Sequence, residues 1–75
     1  MKKIEFTMTE EELKGFTHEE IAWIRWSIEE AIASARLEGA PEPTPDQIRD
    51  QELAAFGKIT HEEFVQRALK RAMGV

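Results

Sequence analysis

The side chains of this sequence that could do chemistry are two histidines and a set of carboxylates, and their spacing argues against catalysis. His18 and His61 each stand in the same four residues, Thr-His-Glu-Glu. A zinc-protease helix needs two histidines four residues apart with a glutamate between them, and neither site has this arrangement. Adjacent glutamates such as Glu29 and Glu30 point apart on a helix, which is typical of a solvated face. We therefore expect no enzyme activity, no bound metal and no cofactor.

Length and composition predict one small helical domain from a reducing, cytoplasmic compartment. The chain has 75 residues, no cysteine, a formal net charge of −5 and 41% hydrophobic residues. No stretch resembles a signal peptide or a membrane span. The acidic balance argues against binding to nucleic acid, which needs clustered Lys and Arg side chains. Because so short a chain has little core of its own, a partner protein is expected to cover part of its apolar surface.

Repeated capping signals divide the sequence into helices. A threonine followed three residues later by Glu or Gln, the capping-box pattern, begins at Thr9, Thr17, Thr44 and Thr60. Glycines that favour a left-handed helix end stand at positions 39, 57 and 74. Together with the 3.6-residue apolar period, these signals predict helices over about 18–38, 45–56 and 61–73. The predicted fold class is all-α, a small irregular three-helix chain that wraps a partner.

The first 16 residues are the least regular part and are interpreted as a short N-terminal extension of a helical domain over 17–75. Residues 2–8 alternate in the manner of an extended stretch, and residues 10–14 suit one or two helical turns. No function is assigned to this segment.

The predicted first helix has two apolar edges. Ile28 and Ile32 belong to one stripe, whereas Trp23, Trp26 and Leu37 lie partly off it. One small core cannot cover both edges. Two interpretations of the tryptophans stay open: they pack on the N-terminal segment, or they are buried against another chain, where Trp is an enriched anchor.

The end of this helix carries a carboxylate in an unfavourable place. Ser34 and Glu38 are four residues apart and so share one face of the final turns. A helix C-terminus already has partial negative potential, so Glu38 is locally the wrong charge. One interpretation is indifferent surface placement. The other is a carboxylate presented to a cation on a partner, with Gly39 ending the helix and leaving room for close approach.

The same three residues resemble a known family. Ser34, Glu38 and Gly39 match the inhibition motif of proteins that restrain Fic-domain AMP transferases, which is Ser or Thr, three residues, Glu, then Gly or Asn. Further similarity lies in the proline-containing loop 42–45, in residues 57–63 and in the terminal amphipathic helix. From about residue 23 to 73 the chain resembles VbhA-type antitoxins, while the first twenty or so residues have no counterpart in that family.

The resemblance implies an inhibitory mechanism for helix 18–38. In the family, an active-site arginine of the Fic enzyme holds the γ-phosphate of ATP, and the motif glutamate pairs with that arginine. Carried over, Glu38 is the inhibitory carboxylate, Ser34 hydrogen-bonds near the same arginine, and Gly39 lets the helix tip enter the nucleotide site. The implied partner is a Fic-domain AMP transferase in a one-to-one heterodimer. The residues expected to bind it are Trp23, Trp26, Ile28, Ile32, Leu37, Phe64 and Leu69.

Three other functions compete with this interpretation, of which a metal-dependent enzyme has the least in its favour. A generic helical adaptor or oligomerisation module explains the caps, the apolar excess and the acidity, but it treats the Ser34, Glu38 and Gly39 pattern as accidental. A DNA-binding autorepressor needs a basic recognition helix, which this acidic sequence lacks.

Overall fold

Three helices joined by short loops form the computed structural model, which describes residues 4–74. The helices are α1 (His18–Leu37), α2 (Pro45–Ala55) and α3 (His61–Met73). No strand occurs within the described residues, so the predicted all-α, three-helix class is confirmed. Glu38 and Phe56, expected as the last residues of the first two helices, are instead their C-caps. Residues 2 and 3 of the predicted extended stretch lie outside the described residues.

Local capping chemistry fixes where each helix begins. In each helix, the N-cap threonine side chain accepts a hydrogen bond from the backbone amide of the residue three positions later. The side chain of that later residue accepts a hydrogen bond from the threonine amide. The three threonines are Thr17, Thr44 and Thr60. Thr9 and Glu12 make the same reciprocal contact before a turn over residues 10–15. Each of the three caps that open a helix stabilises that helix by about 1 kcal/mol. All four predicted capping boxes are confirmed.

A small core lies where α1 and α2 meet. Its buried hydrophobic residues are Met8, Ile28, Ile32, Ile48 and Phe56. The middle helix, α2, packs against both of the others, while within the described residues α1 and α3 do not pack directly on each other. No described helix is long and apolar enough to cross a membrane.

The segment 4–16 packs onto α2. Met8 is buried in the core, and the amide and hydroxyl of Thr7 both donate to Oε1 of the fully buried Glu52, at 2.6 and 3.1 Å. The Phe16 ring lies edge-on to Phe56, with ring centroids 5.0 Å apart. These contacts give the segment a structural role in covering the core.

A salt-bridge cluster attaches α3 to α2. Asp50 is 7% exposed and accepts hydrogen bonds from Arg67, at 3.0 Å, and from Arg71. Burial raises the pKa of Asp50, but the hydrogen bonds from Arg71 and Arg67 outweigh it, so the pKa lies below its ordinary value. Because α3 has no buried residue of its own, this cluster adds polar contacts that help to place it on α2.

Candidate partner-binding surface

The largest aromatic side chains of the chain are exposed on α1. Trp23 is 65% and Trp26 51% exposed, and their rings stack with centroids 5.1 Å apart and planes 25° apart. The described N-terminal residues do not cover them. Packing of the tryptophans on the N-terminal segment is therefore not observed within residues 4–74, and their burial against another chain stays a prediction.

The tryptophans share one side of α1 with the motif residues. A turn of 3.6 residues places positions 23, 26, 30, 34, 37 and 38 within an arc of about 120°. At 1.5 Å per residue, this strip is about 22 Å long from Trp23 to the helix tip. All six side chains are exposed. We call this strip the outer face of α1; besides Trp23, Trp26, Glu30, Ser34, Leu37 and Glu38, it includes the exposed Ser27.

Two residues expected to bind a partner lie on the opposite side of α1. Ile28 and Ile32 are 3% and 5% exposed and belong to the chain's own core. Because α1 packs on α2 through this side, a partner could contact them only if the core opened. Of the two α3 residues, Leu69 is 55% exposed and Phe64 is partly buried. Both lie on a different helix from the outer face.

The tip of α1 is closed by backbone hydrogen bonds. The Glu38 amide donates to the carbonyls of Ser34 and Ala35, both at 3.2 Å, and the Ala40 amide donates to Ala35 at 2.9 Å. Gly39 has φ +85°, a left-handed conformation that favours glycine. No atom would lie within 4 Å of a Cβ placed there, so the space beside Gly39 is open to another molecule.

The motif side chains are presented outward. Ser34 and Glu38 are both exposed, and neither side chain has a hydrogen-bond or ion-pair partner among residues 4–74. By contrast, Arg36 donates from Nε and Nη2 to the two carboxylate oxygens of Glu42, at 2.5 and 2.8 Å. The hydrogen bond to Glu42 raises the pKa of Arg36 against the opposing effect of desolvation. The arginine nearest to Glu38 in sequence is thus already held by the loop.

Charge is unevenly distributed around α1. The charged residues of the outer face, Glu30 and Glu38, are both acidic. The two arginines of the helix, Arg25 and Arg36, are partly buried on the inner side, and Arg25 lies over the Phe6 ring at 5.1 Å from its centroid. The outer face therefore combines apolar anchors with negative charge, which suits a partner that carries cations.

Other candidate chemistry finds less support in the described part of the chain. His18 and His61 are exposed first-turn residues of α1 and α3, and no group of His, Asp and Glu side chains is arranged to hold a metal ion within residues 4–74. An apolar cleft of about 280 Å³ between α1 and α3 is lined by Ala35, Pro43, Phe64 and Ala68, among others.

The sequence predicted neither this cleft nor the Arg36–Glu42 pair. Opposite charges six residues apart across a turn follow no helical spacing rule.

The described residues form a small all-α protein whose first helix exposes an aromatic and acidic face. Residues 25–71, more than half of the chain, match the family model described as Antitoxin VbhA. The chain belongs to the VbhA antitoxin family, which confirms the resemblance found in the sequence. It is therefore an antitoxin, which suggests a non-enzymatic inhibitor and implies a toxin as its partner. Comparisons with curated proteins and with solved structures gave no match.

Proposed function

We propose that this antitoxin binds a Fic-domain AMP transferase in the cytoplasm, one to one, and blocks AMP transfer. In this proposal Glu38 pairs with the active-site arginine that holds the γ-phosphate of ATP. The observation that supports it is the outward presentation of Ser34 and Glu38, neither with a partner in the described chain, at the tip of α1. The motif lies inside the segment that matches the antitoxin family.

The chemistry of the pairing is direct competition for one guanidinium. Arginine binds a carboxylate and a phosphate with the same planar, bidentate geometry, so Glu38 can occupy the place of the γ-phosphate. A hydrogen bond to a charged group contributes about 1.5–3 kcal/mol, enough to change the population of a nucleotide pose by about one to two orders of magnitude. Ser34, one turn earlier on the same face, adds a hydroxyl near the same arginine. The open space beside Gly39 allows the tip to enter a confined site.

Most of the affinity has to come from elsewhere on the outer face. A single charged contact is too weak to hold two proteins together, whereas a buried tryptophan brings roughly 150–250 Å² of contact area. Trp23, Trp26 and Leu37 lie on the same strip as Glu38. Docking the aromatic pair on the toxin would therefore aim the helix tip, and Leu69 and Phe64 on α3 would extend the contact.

The deciding experiment is an AMP-transfer assay with labelled ATP and the Fic protein encoded beside this gene. Wild-type antitoxin should suppress labelling, and Glu38→Gly should restore it while still co-purifying with the toxin. Glu38→Gln tests the charge alone, with Glu29→Gln as a matched control that removes one charge from another side of α1. Equal suppression by wild type and both Glu38 variants would exclude the mechanism.

The exposed tryptophan pair also suits a second function, that of a generic helical adaptor or oligomerisation module. Such a protein would associate through Trp23 and Trp26 without using Glu38. Two results together would favour this alternative. The isolated chain would self-associate in sedimentation and Trp26→Ala would abolish that association. In the labelling assay, Glu38→Gly would give the same result as wild type.

A further inference from the structure

We infer that the Arg36–Glu42 pair is a positioning device, which fixes the tip of α1 so that Glu38 is presented in one orientation. This inference rests on the proposed role of Glu38. It concerns Arg36, at a variable position of the inhibition motif, and Glu42, which lies beyond the motif, and the two bridging hydrogen bonds carry it.

The pair closes the chain reversal around the tip. Arg36 lies in the last turn of α1, and Glu42 lies in the loop before Thr44, the N-cap of α2. Backbone hydrogen bonds close the same segment from inside, with the Gly39 amide donating to the Arg36 carbonyl at 3.0 Å. Glu38 therefore stands within a loop that is tied at both ends.

Covalent stiffness makes this closure effective. Glu42 is flanked by Pro41 and Pro43, whose rings fix their own φ angles and restrict the residue before each of them. Because such a loop has few accessible conformations, fixing the position of Glu42 also fixes the position of the helix tip. The Arg36 side chain, only 18% exposed, also lies at the apolar cleft formed with Pro43 and Phe64.

The two charged side chains of the tip face different ways. Positions two residues apart do not share a helix face, so Arg36 turns toward the loop while Glu38 belongs to the outer face. Within one helical turn, the Arg36 side chain is therefore bound by Glu42, while the Glu38 side chain stays exposed to a partner. Rigid presentation matters because a displacement of about 1 Å in an active site can change a rate by about 100-fold.

The test separates binding from inhibition in the toxin–antitoxin complex. Glu42→Gln should leave the dissociation constant within about twofold of wild type, while residual AMP transfer at saturating antitoxin rises by about two- to fivefold, the range expected when a partly exposed ion pair is lost. Glu12→Gln is the matched control, because it breaks a second bidentate pair of the described residues, Glu12 with Arg49, far along the sequence from the tip. It should leave residual AMP transfer unchanged.

A charge-swapped variant, Arg36→Glu with Glu42→Arg, tests whether the pair acts as a pair. Residual AMP transfer should return toward the wild-type level when the bridge is restored with reversed polarity. The inference would be overturned if residual AMP transfer stayed high in the charge-swapped variant while its thermal unfolding matched that of wild type. It would also be overturned if Glu42→Gln and Glu12→Gln raised residual AMP transfer equally. These outcomes differ from failure of the proposed function itself, in which Glu38→Gly would leave labelling suppressed.

Discussion

The amide and the hydroxyl of Thr7 converge on a single oxygen of the Glu52 carboxylate, 45 residues away in the sequence. Glu52 is 0% exposed, and its other oxygen, Oε2, has no hydrogen-bond partner in the described chain. Thr7 lies outside the segment that matches the antitoxin family, whereas Glu52 lies inside it. The contact therefore joins the N-terminal segment to the family domain at a point where the loss of either group is costly.

Removing this carboxylate should destabilise the free chain. Glu52→Ala leaves a cavity and an unpaired Thr7 amide, so the free energy of unfolding should fall by about 2–4 kcal/mol. Glu52→Gln keeps an acceptor of the same shape for the Thr7 amide and hydroxyl, so it should change the free energy of unfolding by less than about 1 kcal/mol. Urea unfolding followed by circular dichroism measures both, with the exposed Glu29→Ala as control. Equal stability of Glu52→Ala and wild type would show that the contact is energetically neutral.

Acid should loosen the attachment of α3. The pKa of Asp50 is lowered in the folded chain from its ordinary value of 3.8, since the hydrogen bonds from Arg71 and Arg67 outweigh the effect of burial. A carboxyl with a depressed folded pKa stabilises the fold above its unfolded pKa and loses that contribution as the pH falls through the folded pKa. Stability should therefore be level near neutral pH and decline below about pH 4.

Thermal unfolding measured from pH 7 to pH 2.5 checks this expectation. Asp50→Asn should lower stability at neutral pH and flatten the acid decline, because the titrating partner of the two arginines is gone. Asp46→Asn, an exposed change in the first turn of the same helix, is the control and should keep the wild-type profile. An unchanged acid decline in Asp50→Asn would assign the pH dependence to other carboxyls.

Local and distant interactions differ in how well the sequence reveals them. The helix starts were predictable because a capping threonine and its Glu or Gln partner are three residues apart and act within one turn. The Thr7–Glu52 contact was not predictable, since no spacing rule connects residues so far apart. The two apolar edges of α1 could be recognised in the sequence. The sequence did not show which of the two edges would be buried in the core. Packing of Ile28 and Ile32 against α2 settled that choice and left the tryptophans outside.

Adjacent glutamates on α1 provide a matched test of the outer face. Glu29 and Glu30 are both exposed, but about 100° of helix rotation separates them, and Glu30 alone lies on the outer face. A partner that meets this face with basic groups should associate roughly tenfold more slowly with Glu30→Lys, and only about twofold more slowly with Glu29→Lys. Stopped-flow or surface-binding kinetics at two salt concentrations measures the difference. Identical rates for the two variants would place Glu30 outside the contact.

The tryptophan pair should govern affinity and leave the inhibitory tip unaffected. Trp26→Ala removes half of the stacked pair, so the dissociation constant for the toxin should rise about 30-fold, equivalent to about 2 kcal/mol at a tryptophan anchor. Met73→Ala is the control, because Met73 is also well exposed, at 73%, but lies at the end of α3. At saturating concentration the Trp26 variant should still silence AMP transfer, since Glu38 is unchanged. Calorimetric titration measures the affinity, and the labelling assay measures the inhibition. If Trp26→Ala bound the toxin normally, the aromatic pair would not be part of the interface, even if Glu38 is the inhibitory group.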